Sequence, residues 1–170
     1  MRIAFTLSAA ISVCLAWTAE LPVPPLSPPI QGLRAAEVRD MFAEVHNGHM
    51  HEAIDIMEPK GTPIRAVVTG PVRKLFLSKP GGNTIYQFDE TGTFSFYYAH
   101  LDRYADGLRE GMHMKEGDIL GFVGSTGNAV ATAPHLHFAI FRLGPEKEWW
   151  KGAPINPYSD LIEAIRRVKD

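Results

Sequence analysis

The spacing of hydrophobic and polar positions changes period once along the chain. Before position 50, Val38, Met41, Phe42 and Val45 recur at roughly helical intervals and Gly48 follows as a stop, which predicts a short helix over residues 35–44. From His51 the period becomes two, and turn-forming groups recur: Pro59-Lys-Gly61, Thr69-Gly-Pro71, Pro80-Gly-Gly-Asn83, Asp89-Glu-Thr-Gly92, Glu116-Gly-Asp118 and Ser125-Thr-Gly-Asn128. Between them, residues 66–68, 72–77, 84–88, 94–100, 119–123 and 136–141 are rich in β-branched and aromatic side chains and predict strands. From Asp160 onward a helical period returns, with Asp160 and Glu163 placed as a capping pair and Leu161, Ile165 and Val168 on one face. The expected fold is mostly β: a single-domain antiparallel sheet or sandwich with short helices near the two ends.

The first nineteen residues carry one positive charge, an apolar run and then small residues before Glu20, the pattern of an export signal. The run is interrupted by Thr6, Ser8, Ser12 and Thr18 and is shorter than the ~20 apolar residues of a membrane span, so cleavage is expected over a retained anchor. An exported protein, periplasmic or secreted and without stable membrane insertion after cleavage, is the expectation. Residues 20–34 contain five prolines between Leu21 and Pro29. Proline blocks helix and interior strand, so this stretch reads as a stiff extended tether, with the folded domain over residues 35–170.

Composition narrows the chemistry. A net charge of −2 with Lys and Arg scattered among Asp and Glu gives no long-range attraction for nucleic acid. The single cysteine, Cys14, lies in the leader, so any metal in the mature protein is held by His, Asp or Glu. All seven histidines fall between positions 46 and 137. Three segments concentrate them: His51-Glu-Ala-Ile-Asp55, Tyr97-Tyr-Ala-His100-Leu and Pro134-His135-Leu-His137-Phe. On a strand, His51 and Asp55 share one face, as do His135 and His137, so each pair can converge on a point. Two imidazoles and a carboxylate with a fourth position open form a catalytic zinc ligand set. His-Glu-x-x could also begin a zincin helix, but its second histidine is missing and Ile54, Ile56, Pro59 and Gly61 describe a strand running into a turn. Gly124-Ser-Thr-Gly127 has neither the lysine of a phosphate loop nor the spacing of a nucleophile elbow, and reads as a turn.

His51 with Asp55, Gly61-Thr-Pro63, Tyr-Ala-His100-Leu, Gly117-Asp118, Val123-Gly-Ser-Thr-Gly127 and Pro-His135-Leu-His137-Phe, in this order, resemble the lysostaphin-type (LytM-like) zinc metallopeptidases from about residue 46 to residue 158. The resemblance implies a β groove of duplicated-hybrid-motif type holding an extended peptide, and Zn2+ on His51, Asp55 and His137. It implies that His100 and His135 flank the site, and that the reaction is hydrolysis of an amide bond in peptidoglycan peptides by a zinc-activated water. His135 is favoured as general base because it is two residues from a ligand, with His100 as the alternative. Tyr97 and Tyr98 are candidate oxyanion donors or groove walls. The departure from the family pattern is Ala53, where glycine is usual. A competing reading is a non-catalytic relative that binds peptidoglycan or activates another hydrolase. The Lys115-Glu-Gly-Asp118 and Gly70-Pro-Val segments also look like carrier-domain hairpins, but no lysine lies centred in the modification turn.

Overall fold

The computed structural model describes residues 21–46 and 48–168; the expected export signal lies outside the described residues. The strands are β1 (Val45–His46), β2 (His49–Met50), β3 (Ile54–Met57), β4 (Pro63–Arg65), β5 (Gly70–Ser78), β6 (Gly82–Phe88), β7 (Phe94–Tyr104), β8 (His113–Met114), β9 (Ile119–Val123), β10 (His135–Leu143) and β11 (Gly152–Ile155), followed by α1 (Tyr158–Arg167). Among the described residues, β1 and β2 form a hairpin, and the remaining strands form a nine-stranded sheet in the order β11-β10-β7-β6-β5-β8, with β3 on β10, and β9 joining β7 to β4. Pairing is antiparallel throughout. The mostly antiparallel β architecture expected from the period-two pattern is the one found.

Strand β10 organises the site. Its first half pairs with β3 on one side while β7 runs along the other, so His137 stands between Asp55 and Ala99 in register. Alternation sends Leu136, Phe138 and Ile140 into the core and His135 and His137 to the opposite face. In β7 the same alternation buries Phe94, Phe96 and Tyr98 in the core and turns Tyr97 and Ala99 toward the histidines.

Four sequence expectations are corrected. The helix over residues 35–44 is a single 3-10 turn, Ala35–Glu37, after which Val38 is extended. Val38 is buried in the core, and Asp40 Oδ1 accepts the Phe42 N–H, a local bond that competes with helical pairing. The proline-rich stretch does not stand off as a tether: Leu26, Ile30 and Leu33 are buried in the same core as the sheet, and Arg167 of α1 bonds the Leu26 carbonyl. The tail helix starts earlier, at Tyr158, with Asn156 Oδ1 accepting the Tyr158 N–H in place of the expected Asp160–Glu163 capping pair, and its core face is Leu161, Ala164 and Ile165 while Val168 is exposed.

The fourth correction concerns residues 66–68, which are buried but pair in no strand; the strand lies earlier, at β4. Their backbone groups are satisfied by side chains and loops instead. Tyr98 Oη accepts the Val67 N–H at 3.1 Å and donates to Gln87 Oε1 at 2.9 Å, while Gln87 Nε2 donates to the Val68 carbonyl at 2.8 Å. Tyr98 is therefore not a groove residue. Tyr98→Phe is expected to lower stability by about 1–3 kcal/mol by leaving the buried Val67 N–H and Gln87 Oε1 unpaired. Chemical denaturation checks this, and zinc stoichiometry is expected to stay at the wild-type value because the hydroxyl lies on the core side of β7.

Candidate metal centre

His51 precedes β3 and does not lie on it. Glu52 has a positive φ of 54°, its N–H bonds the Phe42 carbonyl at 2.9 Å, and the His51 N–H bonds the Glu44 carbonyl at 2.8 Å. This bend, followed by the fully buried Ala53, swings His51 over the strand so that its ring meets Asp55. The convergence expected from strand alternation is thus achieved by a kink, which non-glycine residues adopt at a cost of roughly 1–3 kcal/mol and mainly at functional positions.

Asp55 Oδ1 lies 3.1 Å from His51 Nε2 and 3.0 Å from His137 Nδ1. One donor atom from each of the three residues falls within 4.8 Å of the others. Burial would push the Asp55 carboxyl up, but the hydrogen bonds from His137 and His51 outweigh it and hold the group well below the usual carboxylate range. The Asp55 bond raises the His51 pKa, with burial opposing and the Met41 backbone adding to it. Two imidazole nitrogens and an ionised carboxylate oxygen converging on one point form a donor set of the kind zinc accepts. No Lys or Arg is among the residues that line the groove, so no built-in cation competes for the position.

His135 and His100 stand beside this trio. Their ring centroids are 4.8 Å apart, and His100 is 5.6 Å from the His137 ring. His135 Nδ1 lies 2.9 Å from the Ala133 carbonyl and His100 Nδ1 lies 2.8 Å from the Thr126 carbonyl. A carbonyl only accepts, so both Nδ1 atoms carry the proton and both rings present Nε2 as the basic nitrogen. His135 Nε2 is 3.8 Å from Asp55 Oδ2. Burial lowers the His100 pKa to about 4 against the raising effect of the Thr126 carbonyl, which keeps the ring neutral at physiological pH.

His100 reaches the site by an irregularity that period-two reading misses. Simple alternation would place it on the core face with Phe96 and Tyr98. A register shift between β6 and β7, with Ile85 opposite Tyr98 but Asn83 opposite Leu101, inserts one extra residue, and His100 takes a positive φ of 63°. Two turns hold this bulge. Gly81 O accepts the His100 N–H at 2.8 Å, and Thr126 Oγ1 accepts the Asn83 N–H at 3.0 Å while donating to Leu101 O at 2.8 Å. The turns touch through Gly82 and Gly127, both at positive φ, and a Cβ on Gly127 would fall on Gly82 N and Pro80 O. Gly127→Ala is therefore expected to destabilise the fold by more than about 2 kcal/mol from strain and overlap, and to lower any activity that depends on His100. Unfolding midpoint and zinc content are the measurements: the first should fall and the second stay.

These residues floor and flank a groove of about 400 Å³ whose rim is Pro80, Gly81, Asn128, Ala129 and Val130. The sequence marked the rim segments only as turns, since Pro80-Gly-Gly-Asn83 and Ser125-Thr-Gly-Asn128 carry no chemical signature beyond turn composition. Tyr97 forms a wall 6.0 Å from the His137 ring. Its neighbour Tyr98 is excluded by alternation, since adjacent strand residues face opposite sides.

Residues 49–157 match the sequence profile of peptidase family M23. Lysostaphin of Staphylococcus simulans is 39% identical over 93 residues, covering 54% of this chain and 18% of that protein. The DD-carboxypeptidase/endopeptidase Mpg of Neisseria meningitidis serogroup B is 35% identical over 121 residues, 70% of this chain and 24% of that protein. The chain thus corresponds to under a quarter of the length of either relative. The catalytic domain of lysostaphin from Staphylococcus simulans superimposes with a TM-score of 0.58 at 29% identity, covering 81% of this chain and 88% of that one. With the profile match spanning more than half its length, and with a histidine–aspartate–histidine group that fits zinc, the chain belongs to peptidase family M23, the zinc metallopeptidases of lysostaphin type.

Proposed function

We propose that the protein is an exported zinc metalloendopeptidase, periplasmic or secreted, that hydrolyses amide bonds in peptidoglycan peptides. The observation that carries this reading is the placement of His135 and His100, each with Nδ1 tied to a carbonyl and Nε2 presented, beside three convergent metal donors in an open groove. A peptide laid along the groove would rest between the Tyr97 wall and the 128–130 rim.

His51, Asp55 and His137 would hold zinc, which when bound supplies Lewis acidity, acidifying water toward a pKa of about 7 and polarising a carbonyl. His135 Nε2 accepts a proton from the attacking water and returns it to the leaving amine. His100, neutral and with Nδ1 committed to Thr126, offers an accepting nitrogen and so orients that water. Tyr97 confines the peptide: burial, reinforced by Tyr86, pushes its hydroxyl pKa up, so it stays neutral. Export is supported by the leader's pattern, and no helix among the described residues is long and apolar enough to cross a membrane.

The test is cleavage of purified cross-linked and uncross-linked peptidoglycan, before and after chelation. Chelation is expected to abolish release of fragments and zinc to restore it, and mass analysis of the fragments names the bond. A zinc-loaded protein that cuts neither substrate refutes the enzyme reading and favours the hydrolase-activating relative.

A further inference from the structure

The aromatic side chains on the site face of the sheet form a connected row leading away from the metal centre. Tyr97, 6.0 Å from the His137 ring, contacts Tyr86 at 4.6 Å across the β6–β7 pair. Tyr86 contacts Trp149 at 4.8 Å, and Trp149 contacts Trp150 at 5.2 Å and Phe76 at 5.3 Å. Trp149 is partly covered by these partners, whereas Trp150 ends the row 61% exposed. The loop is anchored: Lys147 Nζ donates to the Thr91 carbonyl at 2.6 Å, the Lys147 and Lys151 N–H groups close turns on Gly144 and Glu148, and β11 begins at Gly152 on the edge of β10. The indole thus stands in water on a braced loop, joined through Trp149, Tyr86 and Tyr97 to the groove.

The surroundings choose between two occupants. An apolar peptide side chain needs a socket, but the cavity among Tyr86, Phe141, Trp149 and Trp150 measures about 70 Å³. A larger hollow of about 490 Å³ adjoins this cavity at Lys151 and Gly152 and has Arg142, Glu146 and Glu148 on its lining. A flat exposed indole next to charged hydrogen-bonding groups matches a pyranose ring, which has an apolar C–H face and a polar rim of hydroxyl and acetamido groups. The geometry points to a saccharide subsite at Trp150: the glycan strand docks there while the peptide it carries runs back along Tyr97 to the metal centre. This deepens the wall-peptidase reading and rests on it for the substrate, but the subsite itself is testable without catalysis.

The zinc-loaded full chain is titrated with N-acetylglucosamine tetramer, a soluble glycan without peptide, and binding is followed by indole fluorescence and by calorimetry. Cleavage is measured in parallel on a disaccharide-linked peptide and on the same peptide without sugar. Wild type is expected to bind the tetramer, Trp150→Ala to lose binding, and Trp150→Phe to keep most of it. Trp150→Ala should lower kcat/KM on the sugar-linked peptide about three- to tenfold, through KM, and leave the sugar-free peptide unchanged. Equal loss on both peptides assigns the platform to the peptide and overturns the proposal, as does tetramer binding that is absent in wild type or indifferent to Trp150→Ala. Tetramer binding with no cleavage of either peptide leaves the saccharide subsite standing and refutes the peptidase reading alone. The exposure of Trp150 makes the alanine variant benign for folding, and an unchanged zinc content and melting temperature check that.

Discussion

Replacing His137 with alanine is expected to remove both the zinc and all measurable cleavage. His137 is the member of the trio fixed most directly by the sheet: it stands in β10 with Asp55 opposite on one side and Ala99 on the other. Its Nδ1 lies 3.0 Å from Asp55 Oδ1, so its loss takes away one of three metal donors and also the main partner holding the carboxylate ionised. Loss of an outer partner of a metal ligand typically costs about 10–100-fold in affinity, and loss of a ligand itself costs more. The Asp55 carboxyl is then stabilised by His51 alone, against the burial that opposes its charge. The measurement is zinc retained after dialysis against a weak chelator, beside turnover on peptidoglycan. Circular dichroism is expected to match the zinc-free wild type, since the β10 backbone ladder does not depend on the imidazole. A variant that retains zinc at wild-type affinity would show that the metal is held elsewhere.

The sheet was readable from sequence where runs rich in β-branched and aromatic residues lie between turn signals, as in residues 94–100 and 136–141, because such runs report burial in a pleated sheet even where, as in residues 94–100, nearly every position is buried. It failed where burial is complete but pairing absent. Residues 66–68 are apolar because they are buried, and their hydrogen bonds come from Tyr98, Gln87 and loop backbone, which no local pattern announces. Leu26, Ile30 and Leu33 were hidden by the prolines around them: proline forbids helix and interior strand, but not packing of an extended chain on a core.

The site was readable as a set of residue types and less so as geometry. His-x-His in β10 obeys alternation and converges as expected. His51 and His100 both depend on positive-φ positions, at Glu52 and at His100 itself, that overrule alternation. The same rule, applied strictly to Tyr97 and Tyr98, would have admitted one tyrosine to the groove and sent the other to the core. Strain of this kind clusters where a side chain must be aimed, and here the aiming is done by contacts from residues far along the chain, Gly81 and Thr126 for His100.

Alanine at His135 or at His100 is expected to leave zinc bound and to lower kcat by about 10²–10⁴-fold, the usual range for removing a positioned proton-transfer group. Neither residue belongs to the donor trio, and each ring is held from behind by a carbonyl, Ala133 for His135 and Thr126 for His100. His135 has the shorter route to the ligands, with Nε2 3.8 Å from Asp55 Oδ2, and the larger loss is expected there. Since the two rings stand 4.8 Å apart and serve one proton transfer, their effects should not add: the double variant is expected to be little worse than His135→Ala alone. Added imidazole should partly rescue His135→Ala, because the ring leaves a gap open to the groove, and should do less for His100→Ala, whose ring is buried beneath it. Zinc content and single-turnover rates on one defined peptide decide the assignment. If His135→Ala turns over near the wild-type rate while His100→Ala does not, the base is His100. If either variant loses zinc, the division between donor trio and proton-transfer pair is wrong.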